Sequence, residues 1–138
     1  MPGIVGITVH YTATAPGATV EAIARGQLDR VADPQTGRKF PAIAYTLVVP
    51  EDGSIAWCHD LNVRCWHSGA WGRNDHYIGL CWIGNHTPND AQIAAMRYAI
   101  REWIPAQLGR PLGIVEGHRD AMSTLCPGPT WNEWKGRL

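Results

Sequence analysis

The chain has 138 residues, of which 45% are hydrophobic and 17% are charged. This composition is typical of one globular domain and excludes a disordered linker protein. Lysine plus arginine equals aspartate plus glutamate at 12 each, so the basic excess of a nucleic-acid-binding protein is missing and we expect no nucleic-acid partner. No apolar run reaches the ~18 residues of a membrane-spanning helix, and we therefore expect no membrane insertion. We expect a monomer.

The first predicted element is a strand over residues 5–11, whose alternation places apolar residues on one face and His10 on the other. The apolar residues of this face are Val5, Ile7 and Val9. After a loop, Thr19 is predicted to cap a helix that runs to about Val31. Residues 33–41 are polar and rich in turn-forming types.

The middle of the chain predicts a hairpin, a long loop and a buried strand. The hairpin consists of residues 43–49 and 54–60, joined by a turn that contains Asp-Gly. Residues 61–77 form the loop, which is rich in Trp, His and Gly, and long loops in compact domains are often functional. Residues 78–84, IGLCWIG, have almost no polar alternation and predict a strand buried on both faces.

The clearest helix covers roughly residues 90–108, where apolar residues recur every three or four positions. Either Thr87 or Asn89 is predicted to cap it. Pro105 is expected to kink its last turn and Gly109 to end it.

Residues 112–117 predict a last short strand, and WNEWKG at 131–136 a final short helix. Strands and helices alternate around one hairpin, so we predict an α/β fold with a mixed central sheet of about five or six strands flanked by helices. No internal repeat or boundary divides the chain, and residues 1–138 are expected to form a single domain.

Four cysteines are too few for a disulfide scaffold in a domain of this size. Cys81 lies in the apolar run and is expected to pack in the core. Cys58 and Cys65 bracket a polar segment and could either form a disulfide or remain free thiols.

The segment EGHRDAMSTLCPGP at 116–129 places His118 and Cys126 in one polar loop. Imidazole nitrogen and thiolate sulfur are ligands that zinc prefers. A third ligand must come from elsewhere, and His10 is the best candidate, because it lies on the polar face of the first strand. The stronger zinc signatures HExxH and CxxC are missing, so the spacing leaves open unrelated packing or hydrogen-bonding roles for these side chains.

Four segments occur in a recognisable order: VHYTA at 9–13, AYTLVV at 44–49, WHSGAWGRNDHYIGLCWIGN at 66–85 and EGHRDAMSTLCPGP at 116–129. Together they resemble the N-acetylmuramoyl-L-alanine amidase type 2 family, which includes the peptidoglycan recognition proteins and T7 lysozyme-like proteins. The resemblance covers nearly the whole chain. It implies the fold of that family, a mixed sheet flanked by helices.

The resemblance implies one catalytic zinc ion held by His10, His118 and Cys126. The family hydrolyses the amide between the lactyl group of N-acetylmuramic acid and the L-alanine of the stem peptide, which lyses bacterial cell walls. The family pattern also assigns Tyr45 and Thr124 to catalysis, as groups that hydrogen-bond the attacking water or the oxyanion.

Two parts of the chemistry stay open at this stage. Some relatives carry a general-base glutamate on the strand that matches residues 78–84, but this segment contains no carboxylate. The departing amine could take its proton from His67, Tyr45 or water.

Asp120 could be either a hydrogen-bond acceptor for a ligand imidazole or a turn-capping residue. The remaining histidines are expected at the surface, namely His59, His76 and His86.

The loop rich in Trp and His is the expected wall of a substrate groove. Trp66 and Trp71 could stack on sugar or peptide, whereas Arg73 and Asn74 could bind peptide carbonyls or carboxylates. Equally, Trp66 could belong to the core and Arg73 could be merely solvated. His67 resembles a groove histidine of the family and is the better supported substrate-binding residue.

The expected function is therefore that of a zinc amidase acting on bacterial peptidoglycan. The N-terminus shows no signal peptide, and no separate cell-wall-binding domain is expected. This suits a phage endolysin that stays in the host cytoplasm and reaches the wall after release through a holin-type lesion. One alternative is a non-catalytic peptidoglycan-binding recognition module. Another is a metal-free cysteine peptidase with Cys126 as nucleophile and His118 or His67 as base.

Overall fold

The computed structural model describes residues 3–70 and 72–138. Its strands, in chain order, are β1 (Gly6–Tyr11), β2 (Val31–Asp33), β3 (Arg38–Lys39), β4 (Leu47–Val49), β5 (Ala56–Trp57), β6 (Tyr77–Trp82) and β7 (Ile114–Gly117). Five strands form a central sheet in the order β5-β4-β6-β1-β7, and β2 pairs with β3 in a separate hairpin. All neighbours in the central sheet are parallel except β4 and β5, which form the predicted hairpin with shorter strands. The predicted mixed sheet is confirmed.

Helices cover both faces of this sheet. They are α1 (Val20–Leu28), α2 (Arg73–His76), α3 (Asp90–Tyr98), a π-helical segment (Ala99–Trp103), α4 (Ile104–Leu108), α5 (His118–Ala121), α6 (Trp131–Trp134) and a final 3₁₀ turn (Lys135–Arg137). None of the helices in the described part of the chain is long and apolar enough to cross a membrane.

The larger core lies between one face of the sheet and the helices α3, α4 and α6. Ile7 and Val9 of β1 are fully buried there against Met96 and Trp131. Val5 was predicted on the same face, but this was wrong: it precedes the strand and is 43% exposed. The opposite face packs against α1, and it carries His10, which is 1% exposed. This second face holds the polar residues of β1.

The predicted cap of α1 is confirmed, because the Thr19 hydroxyl accepts a hydrogen bond from the Ala22 N–H at 3.2 Å. The helix ends at Leu28 rather than near Val31, which belongs to β2. Val31, which the apolar pattern places in the helix, is instead the first residue of the next strand, and two residues separate that strand from the end of the helix.

The long helix is capped by Asn89, which forms a reciprocal capping box with Gln92. A π-helical turn interrupts the predicted regular helix, and Pro105, which has no N–H to donate, lies just after this turn at the start of α4. Gly109 ends the helix with a left-handed φ of 68°, as predicted.

All four cysteines lie in the described part of the chain and are free thiols. The Cys58–Cys65 disulfide that the spacing allowed is therefore not formed. Cys81 is fully buried in the sheet, as predicted.

Candidate functional site

Strand register brings the two candidate histidine ligands together. β1 and β7 are parallel, and Val9 pairs with Gly117, so the next residues, His10 and His118, lie side by side at the carboxyl ends of the strands. Their ring centroids are 4.5 Å apart. The loop after α5 returns Cys126 to the same place, where its Sγ lies 3.4 Å from Nδ1 of His10. One donor atom from each of the three residues lies within 4.8 Å of the others.

The donor set fits a zinc ion. In tetrahedral zinc, a nitrogen and a sulfur ligand at their usual bond lengths lie about 3.5 Å apart, close to the separation of His10 Nδ1 and Cys126 Sγ. Two nitrogens and one sulfur supply three protein ligands and leave the fourth position open, which is the pattern of catalytic rather than structural zinc.

Burial keeps the imidazoles in the form that binds a metal. The pKa of His10 lies well below its ordinary 6.5, first because the ring is buried and then because His67 and His118 lie close by. Burial also lowers the pKa of His118, although the Glu116 carboxylate opposes the shift. Both rings are therefore neutral at pH 7 and offer a nitrogen lone pair.

The Cys126 thiol behaves differently. Burial raises its pKa to about 12, against the opposing effects of the Tyr11 N–H and the Arg119 charge. Without a metal the sulfur keeps its proton at neutral pH, and binding a metal there would release it.

The three residues lie in a groove of about 630 Å³. One wall comes from the α1–β2 junction and the β2–β3 hairpin, the other from the loop that precedes α2. The described lining residues include no carboxylate, and Arg30 is the one permanently charged side chain among them. They are His10, Tyr11, Thr12, Gln27, Arg30, Ala32, Phe40, Ala44, Tyr45, Trp66, His67, Ser68, Gly69, Asn74, His118, Thr124 and Cys126.

Tyr45 and Thr124 both line this groove. The ring centroid of Tyr45 is 5.3 Å from that of His10. Burial, followed by the nearby Cys81 and Cys126, raises the pKa of Tyr45 well above 10, so its phenol remains an O–H donor at physiological pH. The Thr124 hydroxyl accepts a hydrogen bond from the Cys126 N–H at 3.2 Å and keeps its own proton free to donate.

The tryptophan and histidine of the WHSG segment occupy different environments. Trp66 is 52% exposed at the groove, with the Arg64 guanidinium 4.6 Å from its ring, and so it does not belong to the core. His67 is buried: its Nδ1 lies 2.9 Å from Nε2 of His10 and its Nε2 lies 3.0 Å from the Tyr77 carbonyl oxygen. Burial lowers the pKa of His67 to about 4. Trp71 lies outside the described residues.

Arg73 and Asn74 have partners within the protein. The Arg73 guanidinium donates to both oxygens of Glu116, at 2.7 and 3.1 Å, and it is not among the groove-lining residues. Asn74 lines the groove, but its amide group bonds both the N–H and the carbonyl of Ser68. The Ser68 hydroxyl lies 3.1 Å from Nε2 of His118. These contacts give both residues a role in holding the site, whereas substrate contacts by them remain a prediction.

The open alternative for Asp120 is resolved in favour of a turn cap. Its carboxylate accepts hydrogen bonds from the Gly117 N–H at 2.7 Å and the Trp131 indole N–H at 3.0 Å. The histidines expected at the surface differ from one another: His76 and His86 are exposed, whereas His59 is partly buried with Nε2 2.7 Å from the Ile43 carbonyl oxygen.

Several groove residues carried no sequence signal. Arg30 and Phe40 reach the groove only because the β2–β3 hairpin folds beside it. The sequence of residues 33–41 predicts only a polar turn. Ser68 lies within the recognised WHSG segment, so its neighbourhood to His118 could have been suspected from that motif.

Comparison with known proteins identifies the same family that the sequence motifs resemble. A family profile described as N-acetylmuramoyl-L-alanine amidase matches residues 2–129. A search of curated proteins finds no match.

Among solved structures, the endolysin LysCS, an N-acetylmuramoyl-L-alanine amidase from Clostridium intestinale URNW, is 21% identical with a TM-score of 0.73, over 99% of this chain and 84% of that one. The endolysin of Thermus scotoductus MAT2119 bacteriophage Ph2119 is 17% identical with a TM-score of 0.75. The alignment covers 99% of this chain and 86% of that one. Peptidoglycan recognition protein LE, solved with tracheal cytotoxin, a monomeric diaminopimelic acid-type peptidoglycan, is 18% identical with a TM-score of 0.73, over 97% and 80%.

At these identities the structures show a shared fold, and the profile match supplies the family. Since that match spans most of the chain, including His10, His118 and Cys126, this protein belongs to the N-acetylmuramoyl-L-alanine amidase family.

Proposed function

We propose that this protein is a zinc-dependent amidase that hydrolyses the bond between the lactyl group of N-acetylmuramic acid and the L-alanine of the peptidoglycan stem peptide. The observation that carries the proposal is the group formed by His10, His118 and Cys126, which lines an open groove. Membership of the amidase family supports it.

The residues around the site have defined tasks in this reaction. A zinc ion held by the three ligands would lower the pKa of a water molecule and polarise the scissile carbonyl. The neutral Tyr45 phenol and the Thr124 hydroxyl are donors, and we propose that they hydrogen-bond the oxyanion as charge develops on it.

The departing L-alanine amine needs a proton. Both ring nitrogens of His67 are engaged, one by His10 and the other by the Tyr77 carbonyl. No carboxylate occurs among the described lining residues of the groove. Tyr45 or water therefore remains to deliver this proton. The protonated Tyr45 phenol cannot serve as general base, and we propose that solvent water takes the proton that the attacking water releases.

The groove has features that suit a peptidoglycan strand. Its volume of about 630 Å³ accommodates a sugar and several stem residues. Half-exposed Trp66 offers an apolar face for stacking, and Arg30 offers a positive charge to a stem-peptide carboxylate. A neighbour in fold, peptidoglycan recognition protein LE, was solved with a peptidoglycan fragment, which supports this substrate class.

The biological setting that we propose is lysis of a bacterial wall by a phage endolysin. Two of the similar structures are endolysins. In this setting residues 1–138 act as one catalytic domain and as a monomer, and the protein reaches the wall from the host cytoplasm after a holin-type lesion opens.

Digestion of purified sacculi, followed by mass spectrometry of the released material, tests the proposal. The expected products are stem peptides with a free N-terminal alanine and glycans with unsubstituted lactyl carboxylates. They should disappear after chelation and return with zinc. Binding to sacculi without any new ends would refute the amidase and leave the non-catalytic recognition module.

The same digestion separates the cysteine peptidase alternative. A nucleophilic cysteine needs a lowered pKa, whereas burial raises the pKa of Cys126 to about 12. We therefore expect chelation to abolish cleavage. Cleavage that resists chelation but is lost on thiol alkylation would favour the peptidase.

A further inference from the structure

His67 lies directly behind one candidate zinc ligand. It is 6% exposed, and both of its ring nitrogens have partners. Nε2 lies 3.0 Å from the carbonyl oxygen of Tyr77, and Nδ1 lies 2.9 Å from Nε2 of His10. No nitrogen of His67 is left to contact a substrate in the groove.

These partners determine which nitrogens carry protons. A carbonyl oxygen can only accept, so Nε2 of His67 must donate to Tyr77. A neutral imidazole has one N–H, and Nδ1 of His67 is therefore an acceptor, which requires Nε2 of His10 to donate. Nδ1 of His10 then carries a lone pair, and it is this nitrogen that lies 3.4 Å from the Cys126 sulfur.

The position of the His67 ring depends on Gly79 in strand β6. A Cβ at position 79 would lie 2.7 Å from Cγ of His67, closer than packed carbon atoms allow. The missing side chain lets the ring lie against the strand, where the hydrogen bonds to Tyr77 and His10 hold it. Any residue larger than glycine would displace the ring without changing its chemistry.

We propose that His67 is a positioning residue that fixes the tautomer and orientation of His10 so that Nδ1 faces the metal. The role differs from substrate binding, which the sequence motif suggested. This inference rests on the proposed zinc site, and partners of this kind commonly alter metal affinity by about 10- to 100-fold.

Two amide substitutions distinguish positioning from packing. In His67→Asn the amide oxygen can take the place of Nδ1 and still accept from His10. In His67→Gln the amide lies near the place of Nε2, so it keeps the Tyr77 contact but loses the His10 contact. We expect the Asn variant to retain most of the wild-type zinc affinity and the Gln variant to lose about 10- to 100-fold. Gly79→Ala should resemble His67→Gln.

Zinc affinity is measured by competition with a chromophoric chelator, and the thiolate-to-cobalt charge-transfer band of the cobalt-substituted protein reports the ligand geometry. Thermal unfolding identifies variants that are merely less stable. If wild-type protein binds no zinc, the proposed function itself fails. If wild-type protein binds zinc and the Asn and Gln variants bind equally well or equally poorly, the positioning role is refuted and the zinc site stands.

Discussion

Acidification of the metal-free protein should destabilise it through the buried histidines. His67 has a folded-state pKa of about 4, because burial disfavours its charged form more than the Tyr77 carbonyl favours it. The pKa values of His10 and His118 are lowered as well, in both cases chiefly by burial. In the unfolded chain all three return to about 6.5.

The sign and the size of the effect follow from this difference. Between pH 6.5 and about 4 the unfolded chain binds a proton at His67 that the folded protein does not, so the free energy of unfolding falls as the pH falls. The shift of about 2.5 units corresponds to about 3 kcal/mol at ~1.36 kcal/mol per unit. His10 and His118 act in the same direction. Asp33 and Asp52, whose pKa values lie below 3.8, act below this range of pH.

Urea unfolding of chelator-treated protein at several pH values from 7 to 4, followed by tryptophan fluorescence, measures this loss. The matched control is His67→Asn, which cannot titrate and should reduce the pH dependence by about 3 kcal/mol. A free energy of unfolding that stays constant between pH 7 and 4.5 would refute the reasoning. So would an unchanged slope in the His67→Asn variant.

Three further substitutions test separate parts of the structure. Gln92→Leu should lower the free energy of unfolding by about 1–3 kcal/mol in urea titrations while leaving zinc affinity unchanged. It removes the side-chain hydrogen bond to the buried Ile83 carbonyl and one of the two hydrogen bonds to the Val49 carbonyl, which still accepts from the Ile83 N–H. An unchanged stability would contradict this. Arg30→Ala should raise KM for a muropeptide by about tenfold with little change in kcat, and Arg30→Lys should recover part of the lost affinity. A KM of Arg30→Ala equal to that of the wild type would exclude Arg30 from the substrate site. Tyr45→Phe should lower kcat by roughly 100-fold at unchanged zinc affinity, and full activity would exclude the phenol from catalysis.

Much of the fold could be predicted from local signals. The caps Thr19 and Asn89 and the left-handed Gly109 follow from side-chain chemistry within a few residues of each helix end. The spacing of His10, His118 and Cys126 is by itself a weak zinc signal, and the resemblance of the surrounding motifs to the amidase family is what predicted them as ligands. The parallel register of β1 and β7 explains why His10 and His118 meet.

The parts that could not be predicted depend on long-range neighbours. The partner of Arg73 is Glu116, which lies 43 residues away in the sequence on β7, so local sequence predicts only a solvated or substrate-binding arginine. The arrangement of His67 depends on Gly79, which looks like an ordinary strand glycine until the ring packs on it. The β2–β3 hairpin is too short and too polar to show strand periodicity.

A zinc titration of activity tests the central claim most directly. Metal-free protein is mixed with increasing amounts of zinc, and cleavage of a muropeptide between the lactyl group and L-alanine is followed at each ratio. Because His10, His118 and Cys126 form one three-ligand group, activity should rise linearly and reach its plateau at one zinc ion per chain. Full cleavage before zinc is added, or no cleavage at saturation, would contradict the account.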